Sequence, residues 1–279
     1  KENCTDTLFY LFSAISGQEV FRFGDKGRGV CEFYYPLFLS NSFAYDSLII
    51  YDIPVGRLTK IDLHALVENQ DIAKCANSEH LYRNLNFMYN FNKVDSAFIG
   101  TFIEKDEGLF SFCNRNNGEI KNTDYVPYYF YEKGRKDAYC HHVLVSEKDN
   151  SIIVPFKYMN LINCYDLDGN LKVTYALDWI KEEINTQIRV DEHTTVTFYR
   201  TYATRNRCYL VWDGHKIEEE LRKYPAKIVV MNWQGELEKV YQLDNFADFI
   251  IPDEKQRMIY VGVYNAGLEF VEIYKYPML

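Results

Sequence analysis

The chain has no run of about 18 apolar residues, so no helix able to span a bilayer is expected. Glycine (14) and proline (7) are too scarce for a collagen-like or low-complexity chain. Paired cysteines are missing as well. Cys4, Cys31, Cys75, Cys113, Cys140, Cys164 and Cys208 are all far apart, with no CxxC for zinc or redox chemistry. They read as small buried hydrophobes. Histidines show no HxH or HxxxH spacing, which argues against zinc. No GxSxG elbow and no arguable Ser-His-Asp set is present. Positive charge is also short. The formal net charge of −9 argues against a broad nucleic-acid surface, which needs clustered Lys and Arg. The chain starts at Lys1 rather than Met, so the expectation is either a removed leader or a trimmed sequence, with any signal peptide or lipid anchor upstream of it.

Aromatic residues and turn signals are what the chain does have. Aromatics make up 16% of it, with 24 Tyr and 19 Phe, a composition that favours strands. Five segments repeat one shape, strand, tight turn, strand, around Gly17, Gly56, Gly118, Gly169 and Gly235. Asn117-Gly118 and Asp168-Gly169 are strong hairpin signals, because both central residues of such a turn need positive φ. Leu171, Val173, Tyr175 and Leu177 alternate with period two, as a half-buried strand requires. The glycines are separated by 39, 62, 51 and 66 residues, the scale of a propeller blade with loop insertions. Further strand pairs flank acidic turns at 98–113, 141–158 and 246–264.

Two such pairs make a four-stranded blade. Six blades would average about 46 residues. The expectation is an all-β fold, a six-bladed β-propeller of four-stranded antiparallel sheets forming one domain over 1–279. Closure should pair residues 8–14 with the last sheet, since a closed array hides strand edges. Short helical insertions are expected at 60–69, 178–186 and 216–223.

The segment 23–36, FGDKGRGVCEFYYP, carries Phe23, Gly24, Gly27, Gly29, Glu32, Phe33 and Pro36. It resembles a motif of the TolB-like six-bladed propellers of Bacteroidetes and departs from it at Val30 and Cys31. The resemblance implies an exported protein, periplasmic or at the cell surface, and no particular chemistry. Physically, Gly27 and Gly29 permit a sharp turn and Glu32 can accept backbone N–H bonds. A phosphate loop would need a helix after the glycines, and FYYPLFLS is not one.

His141 and His142 are adjacent on a strand and point to opposite faces, so they cannot share a metal, though one could line a central channel. Asp166-x-Asp168-Gly169-Asn170 has the look of a calcium loop but lacks the remaining ligands, and an Asp-Gly turn explains it better. Asp95, Glu104, Glu192, Asp248 and Asp253 lie near strand ends. A glycosidase needs a carboxylate pair at a set separation, which sequence does not give. The stretch 195–212 combines Arg200, Arg205 and Arg207 with Tyr199, Tyr202 and Tyr209, a basic-aromatic group suited to an anion or a sugar face. Tyr125, Tyr128, Tyr129 and Tyr131 form a second aromatic cluster. The candidate ligand-binding set is His141, His142, Arg200, Tyr202, Arg205 and Tyr129, with no metal or other cofactor beyond a calcium ion at the axis. Two functions follow. One is a non-enzymatic binding or scaffold propeller for a glycan, peptide or protein. The other is a metal-assisted hydrolase or lactonase-like enzyme.

Overall fold

A computed structural model describes residues 7–13, 15–29, 31–39, 47–81, 88–102, 108–126, 139, 141–177, 190–219, 224–265 and 270–278. It divides into two compact units, one of Lys1–Lys105 with Ser111–Lys121, the other of Asp106–Phe110 with Asn122–Leu279. The sheets are small and almost wholly antiparallel, and the fold is a six-bladed β-propeller.

In the N-terminal unit, β1 (Thr7–Phe12), β2 (Glu19–Lys26) and the short β3 (Glu32–Phe33) form the first sheet. The second holds β4 (Pro36–Phe38), β5 (Ser47–Asp52), β6 (Arg57–Asp62) and β7 (Ala76–His80), with α1 (Leu63–Asn69) and α2 (Ile72–Cys75) inserted before β7. The third holds β8 (Met88–Lys93), β9 (Ala97–Phe102), β10 (Ser111–Asn114) and β11 (Ile120–Asn122). In the C-terminal unit come β12 (Leu144–Ser146), β13 (Ser151–Pro155), β14 (Leu161–Tyr165) and β15 (Leu171–Ala176). Next are β16 (Thr195–Ala203), β17 (Arg207–Lys216), β18 (Lys227–Asn232) and β19 (Leu237–Gln242). The last sheet is β20 (Phe249–Asp253), β21 (Met258–Asn265) and β22 (Phe270–Pro277). Among the described residues, the first and last sheets show three strands and the other four show four.

Three expectations need correction. Of the segment 8–14, the described residues 8–12 belong to β1, which pairs with β2, Phe9 opposite Phe23, rather than with the last sheet. The helix expected at 60–69 begins only at Leu63, because Lys60–Asp62 stay in β6. Asp62 ends that strand and caps the helix, accepting the Ala65 N–H at 2.9 Å. At 216–223, Lys216 belongs to β17 and 217–219 form a turn, while 220–223 and the segment 178–189 lie outside the described residues.

The hairpin glycines take the expected positive φ, but Asn117 and Asp168 do not, so neither turn has both central residues at positive φ as the dipeptides suggested. Gly118, Gly169 and Gly235 take φ of 71, 86 and 87° and join third to fourth strands. Gly56 also has positive φ but joins β5 to β6, second to third strand, and Gly17 joins β1 to β2.

The 23–36 segment has a different logic. Glu32 turns back so that its Oε2 accepts the Gly29 N–H at 2.8 Å. A Cβ at position 27 would lie 2.0 Å from that oxygen, so Gly27 makes room for the carboxylate. Below it, buried Arg57 donates to the carbonyls of Gly29 and Glu32 and lies 3.7 Å from Asp52. Asp52 is fully buried and accepts the N–H groups of Tyr34 and Tyr35, each at 2.9 Å. One ion pair therefore pins the turn to β5 and β6.

Removing one partner of a buried, hydrogen-bonded pair strands the other charge and costs about 3–5 kcal/mol. Asp52→Ala should lower stability by that amount in urea titrations. Arg57→Lys should recover little, since an ammonium cannot span two carbonyls as the guanidinium fork does.

Candidate functional site

In the C-terminal unit, the first strands of successive sheets, β12, β16 and β20, contact one another. The seam between the last two sheets is apolar at its centre. Tyr209, Val211, Ile228 and Val230 pack there against Ile250, Ile259 and Val261. Beyond Val211 the β16–β17 register shifts, with Gly214 at positive φ, and this irregular end of β17 carries Asp213 and His215. Two ionisable groups are thus buried at the end of an otherwise apolar strand. Asp213 is 3% exposed and His215 2%. Among the described residues, neither Asp213 carboxylate oxygen nor His215 Nε2 has a hydrogen-bond partner.

Their setting comes from three neighbouring segments. Arg200 stands opposite Val211 in the β16–β17 register. Its Nη1 donates to the Ala247 carbonyl at 2.5 Å, and its Nη2 lies 3.8 Å from Asp248. Asp248 in turn accepts the Tyr264 N–H at 2.6 Å. Lys157 follows β13. Thr197 holds the 156–159 turn to β16, its N–H donating to the Lys157 carbonyl at 2.7 Å and its hydroxyl to the Phe156 carbonyl at 2.8 Å. Next to this latch, His142 Nε2 meets the Tyr199 carbonyl at 2.8 Å. The result is a ladder in which cations and rings alternate. Lys157 Nζ sits 4.8 Å from the Tyr158 ring centre and 4.7 Å from that of Tyr199. The Arg200 guanidinium sits 4.4 Å from Tyr199 and 5.6 Å from Phe246. Each such contact contributes about 0.5–2 kcal/mol, depending on its desolvation.

Electrostatics in this corner follow from burial. The Asp213 carboxyl is pushed up to about 7, first by burial and further by Asp248, against the pull of Arg200 and Lys157. Burial lowers His142, and Lys157 and Arg200 lower it further. Burial likewise lowers His215. Both imidazoles are therefore held neutral beside two cations. The Trp212 indole folds over the backbone beside Asp213. Gly214 (φ 73°) is what permits this, since a Cβ there would lie 2.0 Å from the ring.

Of the residues expected from sequence, His142 and Arg200 come together here. His141 does not. It bridges to Phe156, its Nδ1 meets the Tyr139 carbonyl, and burial lowers it to about 4. Tyr202 is two residues beyond Arg200 on β16, paired with Tyr209, and Arg205 lies past the strand's end in the turn into β17. Tyr128, Tyr129 and Tyr131 lie outside the described residues, as does Glu104; the Tyr125 ring packs on Tyr139 at 4.8 Å, tilted by 55°. Asp166 closes its own turn, accepting the N–H groups of Asp168 and Asn170, and Asp253 caps Gln256. Among the described residues, no three His, Cys, Asp or Glu side chains gather as a metal cluster. Sequence reading missed Lys157, Asp213 and His215. The available signal was an Asp and a His two apart in an otherwise apolar strand, CYLVWDGH.

No protein-family model matches the chain, and no curated protein is similar enough to match. Among solved structures, a member of the DUF4221 family from Bacteroides vulgatus is similar with TM-score 0.54 and 12% identity, covering 96% of this chain and 86% of that one. A Bacteroides fragilis protein described as exported follows with TM-score 0.49, 10% identity and coverage of 91% and 73%. A virginiamycin B lyase from Staphylococcus aureus has TM-score 0.41, 11% identity and coverage of 95% and 75%. At these identities the likeness concerns the fold alone, and the last two are too distant to support any argument.

The Asp213 carboxyl fixes a pH dependence. Its ordinary value is 3.8, while in the fold it is about 7. Between these values the folded chain holds a proton that the unfolded chain releases, so rising pH favours unfolding. Wild-type stability, relative to Asp213→Asn, should fall from pH 4 to pH 7 and then level off, as read by urea denaturation across that range.

Proposed function

We propose that the chain is an exported binding propeller, a single domain that captures a glycan, peptide or protein partner without transforming it. The observation that carries this reading is the Tyr158–Lys157–Tyr199–Arg200–Phe246 ladder. It sets cationic groups and rings side by side, with Lys157, Tyr158 and Tyr199 half-buried and Arg200 and Phe246 supporting them from below, a combination suited to an anionic group attached to a flat apolar face. Rigid sheets fix the turns that hold it, which lowers the entropy cost of binding. The resemblance of the 23–36 segment to the exported TolB-like propellers supports the location. The fold itself hosts both binders and enzymes, so the site must decide.

A second reading, a hydrolase or lactonase-like enzyme, draws on one observation. The Asp213 carboxyl titrates near neutrality, as a general acid or base should. Its deep burial, 3% exposed, favours the first reading.

An array of acidic and neutral oligosaccharides and acidic peptides tests the choice. Acidic members should be retained, and Lys157→Gln should weaken that retention about 10-fold, the loss of one charge-assisted contact. Release of a cleaved or ring-opened product from any retained member, abolished by Asp213→Asn, would establish the enzyme instead.

A further inference from the structure

The seam between the last two sheets of the C-terminal unit has a second polar end, opposite the Asp213 corner. Here the residues enclose a pocket of about 390 Å³, at the lower end of the range typical for small-ligand sites. Strand register sets one wall. Tyr209, Val230 and Lys239 lie in one row across β17, β18 and β19, with Arg207 and Tyr241 two residues away on the same face. The β20–β21 turn supplies the facing wall with Glu254 and Arg257, and Met278 closes the base.

The charges in this pocket are unevenly committed. Glu254 accepts hydrogen bonds from the Thr204 hydroxyl at 2.6 Å, the Asn206 amide at 2.8 Å and the Tyr209 hydroxyl at 3.2 Å. It also lies 3.7 Å from Arg207, which pairs with Glu238 as well. Tyr209 is held as a neutral phenol, its pKa raised by burial and by Glu254. Both carboxylates of the pocket are thus engaged, and Arg207 with them. Arg257 is not. It sits at the tip of the turn with φ 56°, its carbonyl accepting the Met278 N–H at 2.8 Å, and its guanidinium forms no ion pair among the described residues. Arg207, Lys239 and Arg257 against Glu238 and Glu254 leave an excess of one positive charge in the lining.

We infer that this pocket is a second binding site, distinct from the ladder, for a sugar-sized monoanion that carries a carboxylate, hydroxyls and a flat C–H face: a hexuronic acid or the end unit of a uronate-containing glycan. Arg257 receives the carboxylate together with Lys239, whose ammonium lies 5.2 Å over the Tyr241 ring, the part of that ring left uncovered meets the C–H face, and the remaining lone pairs of Glu238 and Glu254 accept hydroxyl protons. A single excess positive charge matches a monoanion and undercompensates a phosphate dianion. The assignment goes beyond the ladder reading and does not depend on it.

Calorimetric titration of the intact chain with D-galacturonate, D-galactose and galactose 6-phosphate tests it. Saturable binding of D-galacturonate is expected, at least about 10-fold tighter than D-galactose. Arg257→Gln should remove that preference, while Lys255→Gln, the same charge change on the same exposed turn but outside the pocket, should keep it. Unchanged thermal melting of both variants excludes misfolding as the cause. The assignment is overturned if D-galacturonate fails to bind the wild type, if galactose 6-phosphate binds more tightly, or if Arg257→Gln leaves the preference intact. The array test of the ladder is read through Lys157, so the two sites can fail separately.

Discussion

A β-sheet whose two faces are both apolar has no stable place except between other sheets. In the C-terminal unit that constraint governs everything else. Tyr209, Val211, Ile228 and Val230 on one sheet and Ile250, Ile259 and Val261 on the next remove each other from water. At about 25 cal/mol per Å² of apolar surface this burial is the main favourable term. It also decides where polar chemistry can occur. The middle of the seam admits none, so charged side chains collect at its two ends, Asp213 and Arg200 at one, Arg207 and Glu254 at the other.

The buried acids show two ways of bearing that load. Asp52 is saturated with backbone donors and a guanidinium, and its role is to hold a turn in place. Asp213 has comparable burial and no hydrogen-bond partner, and its cost appears as a carboxyl that keeps its proton to about pH 7. A saturated acid is part of the scaffold. An unsaturated one is a reserve of interaction energy that some other molecule or proton can draw upon, which is why the Asp213 corner stands out in a chain with few other anomalies.

Local turn chemistry was the most legible part of the sequence. Asn117-Gly118 and Asp168-Gly169 do close hairpins, though with positive φ at the glycine alone, and the Lys148-Asp149-Asn150 turn joins β12 to β13 with Asn150 at φ 49°. Phase within the blade was not legible. Positive φ serves any tight hairpin, so Gly56 between second and third strands looks the same as Gly235 between third and fourth. The glycines of the 23–36 segment were visible, as was the acceptor role of Glu32. The reason for Gly27 was not, because it depends on a side chain folded back over it. Sites were the least legible. Arg200 and His142 stood out by type, but the ladder joins residues 42 or more apart in sequence, Lys157 with Tyr199 and Arg200. Arg205 carried the same basic-aromatic signal as Arg200 and lies beyond the strand, in the turn that follows it.

The Trp212–Gly214 pair constrains how this chain can change over generations. Any side chain introduced at 214 collides with the indole, and any smaller residue at 212 leaves a hollow beside Asp213. Neither position can drift alone without passing through a less stable intermediate. The two should be inherited as a couple, so descendants that retain the aromatic side chain should retain the bare backbone two places on, even where the surrounding strand has diverged beyond recognition.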